Sequence, residues 1–324
     1  MKREEIFEMA KHLDEKYILE AAPAPKKNIN IKKRIITFGI AAAITASLSV
    51  GAYAGYRALN RESVGKHYDS STMDKMEESG YVYNKETENK HFKLTLETAL
   101  KDDAGIDAVI TIKPISVDAN KYITYSPYTD GAQIQTVIRT KLTYSDTGEK
   151  IEKDPFDFEL LATRDNLMEN GDFSVNLSIS YKTEDLTIDP TRPIRVEFEK
   201  DPEVEVDTAD DLFEGLSLDL KDIKETKKDK FYTDNSTVMS VSESTILVSG
   251  FDEETFFKER ENMDLDESVV YFKDGTSKKL FDMGSYIRRD NEQGKLEVCV
   301  TFESLIDPDT IDYVVYAGHT YKRK

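Results

Sequence analysis

The chain has no tryptophan, one cysteine (Cys299) and only four histidines in 324 residues. A lone cysteine excludes an intrachain disulfide framework and any zinc site built on cysteine pairs. His12, His67, His91 and His319 are far apart in sequence, and none is spaced as a metal-binding pair. No G-x-S-x-G, P-loop or dinucleotide-binding fingerprint occurs. Cys299 alternates with Val298 and Val300, which predicts partial exposure on the opposite face, and no base lies near it in sequence to activate it. With no nucleophile–base pair, no metal set and no cofactor motif, the sequence does not read as an enzyme.

Charge is present in excess and unevenly placed. Residues 57–324 carry 35 Lys/Arg against 57 Asp/Glu, net -22, whereas residues 1–34 are net +3. An acidic bulk of this size repels nucleic acid, so DNA or RNA is not an expected partner. The hydrophobic fraction of 39% is low, but 17 Tyr and 15 Phe supply enough apolar surface for cores.

Between the two regions lies Ile35–Tyr56, twenty-two residues without one charged residue, His, Asn or Gln. An apolar helix of about twenty residues crosses the hydrocarbon of a bilayer. Lys26, Lys27, Lys32, Lys33 and Arg34 precede it and Arg57 and Arg61 follow, which predicts a cytoplasmic N-terminus and an extracellular bulk. Ala52-Tyr53-Ala54 also fits a signal-peptidase site, but a leader of 34 residues with its own patterned helix favours a retained span. Gly39, Ala43, Ser47, Gly51 and Gly55 recur every four residues, a stripe that lets two spans pack as a homodimer or else simply faces lipid.

Residues 1–34 begin with an amphipathic pattern in which Ile6, Met9, Leu13, Tyr17 and Ile18 share one face. Pro23 and Pro25 end it. A helix this short is marginal alone, and its polar face is acidic to neutral rather than basic, so a protein partner fits it better than a lipid surface. The run Asp14-Glu15-Lys16-Tyr17-Ile18-Leu19-Glu20-Ala21, then a short spacer, a basic cluster and a single span, resembles the N-terminus of membrane-anchored anti-sigma-like proteins of Gram-positive bacteria with an uncharacterised β-rich ectodomain. The resemblance implies that this helix contacts an extracytoplasmic-function sigma factor. The chain departs from the zinc-containing class of anti-sigma domains, which carries His and paired Cys: residues 1–34 hold only His12, so a sigma-factor contact here would be made without zinc.

Beyond the span, residues 57–90 read as a polar stalk, with one helical turn over Asp74–Glu78. The period then changes to two. Phe92, Leu94 and Leu96, then Ile106, Ala108, Ile110 and Ile112, flank an Asp-rich turn; Phe173, Val175, Leu177 and Ile179 and then Ile194, Val196 and Phe198 follow. A second series starts at Leu216, Leu218 and Leu220, includes a hairpin about Lys273-Asp274-Gly275, and closes with Ile311–Tyr316. Asp201, Glu203, Glu205, Asp207, Asp210 and Asp211 read as a solvated acidic linker between the two series, with a calcium-stiffened joint as the alternative.

The expected fold is therefore mainly β: a short cytoplasmic amphipathic helix (1–34), a transmembrane helix (35–56), a stalk (57–90) and two immunoglobulin-like β-sandwich domains (91–202 and 203–324). The expected function is a single-pass anti-sigma-like regulator in the cell membrane. The alternative is a surface-binding or structural module anchored by the span, with no signalling role.

Overall fold

Successive side chains of an extended chain point to opposite sides, so an alternating sequence buries one face. The computed structural model describes residues 61–124, 135–151, 159–182, 186–201, 206–233, 238–252, 268–290 and 295–324, and these are mainly β. Strands β1 (Val82–Glu88), β2 (Phe92–Lys101), β3 (Gly105–Pro114) and β7 (Phe173–Ser180) form one antiparallel sheet in the order β1-β2-β3-β7. A second sheet holds β4 (Gln135–Tyr144), β5 (Lys150–Ile151), β8 (Ile194–Lys200) and β9 (Ser217–Asp219) in the order β5-β4-β8-β9, with β6 (Glu159–Thr163) also on β4. Leu94, Leu96, Ile110, Ile112, Val175 and Leu177 of the first sheet share one buried core with Ile138, Leu142, Val196 and Phe198 of the second.

A bulge in β2 adds a second face to this core. Pairing passes from Leu96↔Ile110 to Thr98↔Val109, so Glu97 is the extra residue. The core phase moves to Ala99, and Leu100 joins Val109 in a separate buried cluster on the other side.

The second body is one nine-stranded antiparallel sheet. Its strands are β10 (Lys228–Tyr232), β11 (Val238–Ser242), β12 (Thr245–Asp252), β13 (Val269–Phe272), β14 (Ser277–Lys279), β15 (Gly284–Asp290), β16 (Lys295–Phe302), β17 (Ile311–Tyr316) and β18 (His319–Lys322). The order is β14-β13-β17-β18-β10-β11-β12-β16-β15. The β10–β18 join rests on the single pair Tyr232↔Lys322. Val270, Val314 and Tyr321 on one side of that join share a core with Val241, Val248 and Val298 on the other, so the sheet folds across its own middle. The expected hairpin forms between β13 and β14, where Gly275 takes φ +86 and Asp274 Oδ1 accepts from Thr276 N and Oγ1 at 2.8 and 2.6 Å.

Four expectations change. Residues 62–88 are not a spacer. Helix α1 (Ser70–Ser79) is capped by Asp69, whose side chain accepts from Thr72 N at 2.7 Å, and ends at Gly80 in the left-handed region. It buries Met76 completely, and β1 pairs with β2. The first body extends past residue 202: β9 pairs with β8, and Leu216, Leu218 and Leu220 join its core, so the second body begins near Lys228. Cys299 is 1% exposed rather than partly open, because the face of β16 that it shares with Glu297 packs against the first body. The chain also closes one strand later than expected, since Ala317 and Gly318, both with positive φ, turn β17 into β18.

Among the described residues no helix is long and apolar enough to cross a membrane. The amphipathic segment and the apolar run at 35–56 lie outside those residues.

Candidate functional site

The two β-bodies meet along a polar seam, built first from the β2–β3 turn. Asp102 Oδ1 accepts from Ala104 N (2.8 Å) and Gly105 N (3.2 Å), which shapes the turn. Gly105 is required there: a Cβ would stand 2.1 Å from the Ile179 carbonyl oxygen on β7. The other oxygen, Oδ2, crosses to the β11–β12 turn and accepts from Ser242 Oγ, Ser244 Oγ and Thr245 Oγ1 at 2.8, 2.8 and 2.7 Å. Five donors thus converge on one buried carboxylate, and a charge taken from water is stable only when paired in this way.

Asp103 extends the seam, accepting from Lys228 Nζ (2.6 Å) and Ser240 Oγ (2.7 Å). Burial pushes its carboxyl up, but these two donors and the Lys228 charge hold it below the usual aspartate value. Lys182 Nζ donates to the buried Glu297 Oε1 at 2.8 Å, and Thr226 N donates to Lys101 O at 2.8 Å.

The segment from Glu62 to Tyr81 straps both bodies. Val64, Met76 and Tyr81 share a buried cluster with Leu100 and Val109 of the first body and Leu305 of the second. Ser304 Oγ donates to Asp69 Oδ2 at 3.0 Å, and the Tyr81 hydroxyl donates to Glu243. On the first body the strap enters a buried hydroxyl chain. Ser63 Oγ lies 2.7 Å from Thr111 Oγ1, which donates to Glu97, and 2.9 Å from Ser174 Oγ, which meets His67 Nε2 at 3.0 Å. Burial holds the His67 imidazole below its usual value, the Ser174 contact raises it, and Lys66 adds to the lowering.

The acidic stretch between the two series is not a free linker in its described part. Asp201 is buried against Arg139, with Oδ1 3.1 Å from Nε. Asp207 faces Lys121 at 3.9 Å, and Asp211 pairs with Lys90 and lies 3.2 Å from His91 Nε2. Lys90, burial and His91, in that order, set the Asp211 carboxyl, and the net effect is a lowering. Each of these carboxylates has its own cation, and among the described residues no three His, Cys, Asp or Glu side chains converge as a metal site. Beside Asp211 opens a recess of about 600 Å³ floored by Phe198, Phe213 and Leu216. Phe213 stacks on Phe92 at 4.9 Å.

His91 Nδ1 also meets Ser116 Oγ at 2.8 Å, so serine, histidine and aspartate stand in the order of a hydrolytic triad. Their surroundings suit a staple instead. Ser116 Oγ already accepts from Ala119 N at 3.0 Å, capping helix α2 (Val117–Thr124), and His91 is 6% exposed.

The residues singled out from the sequence fall elsewhere. Ile6, Met9, Leu13, Tyr17 and Ile18, and Gly39, Ala43, Ser47, Gly51 and Gly55, all lie outside the described residues. Sequence reasoning missed Asp102, Tyr81 and His67. For Asp102 a clue was present: an Asp-Asp-Ala-Gly turn in one body and a hydroxyl-rich Ser240–Thr245 stretch in the other. No family model matches the chain, and neither a curated protein nor a solved structure matches it.

Proposed function

We propose that this chain is a single-pass membrane regulator of the anti-sigma-like type. Its N-terminal helix would bind a sigma factor in the cytoplasm, and its acidic β-rich part would sense an envelope condition outside. One observation carries the reading: Ile35–Tyr56 is uncharged for twenty-two residues, with a basic cluster on its N-terminal side and a net -22 body on the other. In the proposal the two β-bodies are immunoglobulin-like extracellular domains, and Gly39, Ala43, Ser47, Gly51 and Gly55 pair two spans. In the proposal the segment that follows the apolar run, which shares a buried cluster with both bodies, would register their separation.

The test is recovery of a sigma factor with the tagged full-length chain. Leu13→Asp and Tyr17→Asp each place a charge on the proposed contact face and are expected to abolish recovery. Undiminished recovery with both variants would falsify the contact. Gly51→Cys and Gly55→Cys test the pairing of spans, and the buried Cys299 leaves a low background.

A second reading, a surface-binding module anchored without signalling, is favoured by the recess beside Asp211 and another lined by Lys101, Arg192 and Lys221. Deletion of residues 2–22 separates the readings: the anchored module keeps its function and the regulator loses it.

A further inference from the structure

A recess of about 350 Å³ opens where the first body hands over to the second. Its floor is apolar, with Ile106, Ile194 and Ile223 all buried. Its rim carries Lys101, Arg192 and Lys221 against one carboxylate, Asp222. That is a local excess of positive charge on a part of the chain that is otherwise net -22.

The three cations are not equally committed. Arg192 donates to Asp146 (2.9 Å) and Glu149 (2.8 Å) and stacks on Tyr144. Lys101 Nζ donates to Pro190 O at 2.9 Å, one bond of the three an ammonium can make. The Lys221 ammonium makes no ion pair among the described residues.

Tyr181 also lines the recess and is 3% exposed. Its backbone is fixed on both sides, N to Ala104 O at 3.0 Å and O from Ile188 N at 2.7 Å. Its hydroxyl makes no hydrogen bond among the described residues. The hydroxyl is not among the fully enclosed polar atoms, so the side chain is buried while its oxygen stays open to a ligand. Burial and then the carboxylates of Asp102, Glu225 and Asp103 push this phenol up, so it remains a donor. Those carboxylates do not compete for the recess. Asp102 is held by three hydroxyls and two amides, and Lys228 holds Asp103 and Glu225 at 2.6 and 3.3 Å.

We infer that this recess is a binding site for a small soluble anion carrying an apolar group. The Tyr181 hydroxyl and the ammonium groups of Lys101 and Lys221 would hold the anion, and the isoleucine floor would take the apolar part. The volume is at the small end of ligand cavities, about 300–1,000 Å³. The strongly acidic body disfavours an anionic lipid surface, which leaves a free solute. Location adds a consequence: Lys101 O accepts from Thr226 N across the seam, and residues 220–223 lead directly into that crossing. A bound anion would therefore brace the joint between the bodies. The binding claim stands without the sigma-factor reading, but if both hold, this is the class of ligand sensed.

The test is calorimetric titration of the full-length chain in neutral detergent with phenyl phosphate and, separately, with inorganic phosphate. Phenyl phosphate is expected to bind saturably and more tightly than phosphate, and to weaken as salt is raised. Tyr181→Phe and Lys221→Gln are each expected to weaken binding by about 3- to 10-fold, the loss of one donor. Tyr181→Phe should leave the melting temperature unchanged, since no internal partner loses a bond. Lys278→Gln, on β14 of the second body and outside the recess lining, should bind like the parent. Absence of saturable binding, or parent-like binding by both Tyr181→Phe and Lys221→Gln, overturns the site whatever becomes of the sigma-factor contact.

Discussion

The interiors of the two β-bodies and the seam between them are held by different physics. Inside each body the sheets pack on large aliphatic and aromatic clusters, and the strands define which face each of those side chains covers. Across the seam the contacts are carboxylates, hydroxyls and ammonium groups, with Asp102 accepting from five donors. Apolar burial scales with area and tolerates sliding, whereas a converging set of hydrogen bonds fixes one geometry and is lost abruptly when a member is removed. The bodies are thus built to persist and the joint to be specific.

The largest test of the contrast is a core truncation. Phe231 is completely buried in the second body, and Phe231→Ala is expected to cost about 3–5 kcal/mol in denaturant unfolding. Asp102→Ala is the seam counterpart. It removes the acceptor shared by three buried hydroxyls and two amides, and about 3 kcal/mol is expected. The two variants differ in form as well as size. The core variant should shift the unfolding of its own body, and Asp102→Ala should split unfolding into two steps as the bodies uncouple. A single coincident transition in Asp102→Ala, at a cost below about 1 kcal/mol, would erase the distinction between seam and core. Asp102→Asn should fall between, because the amide oxygen still serves the turn and the hydroxyls can rotate to accept from the amide nitrogen. Tyr81→Phe comes next. It removes the strap's hydroxyl from Glu243, which keeps a second donor in Lys227 N at 3.0 Å, and about 1–2 kcal/mol is expected, read as a small shift in urea midpoint.

The same division governed what could be read from the sequence. The stripes Leu94/Leu96, Ile110/Ile112 and Val175/Leu177 alternate without interruption, and all of them reach the core. The Asp274-Gly275 hairpin was legible because its turn residues have few other uses. Helix α1 was legible only as one turn over Asp74–Glu78: Met76 is its one fully buried apolar side chain, so the segment reads as polar although it folds onto both bodies. Leu216, Leu218 and Leu220 announced a strand, but alternation does not say which body a strand joins. Cys299 was misplaced for a related reason, since a strand's outer face is exposed only until another body covers it. The seam itself has no periodicity. Asp102 and Ser242 are 140 residues apart, and what joins them is a fold rather than a pattern.

The smallest expected effect concerns the strap's contact with the first body and is read through pH. His67 meets Ser174 at the end of the buried hydroxyl chain that includes Ser63, Thr111 and Glu97. Burial favours its neutral ring, so the folded chain binds the proton less readily than the unfolded chain does. Its contribution to stability is therefore complete above the unfolded value of 6.5 and is lost as pH falls below it. The aspartates held low by cations or N–H groups, Asp69, Asp103 and Asp211 among them, act in the same direction but only near and below their ordinary carboxylate range, well beneath this window. Urea midpoints measured at about pH 7.5 and about pH 5.5 should fall for the parent and fall less for His67→Gln, which keeps a polar partner for Ser174 without a titrating ring. An equal fall in both proteins would mean that a neutral His67 does not secure the strap, and the seam would then be its main hold.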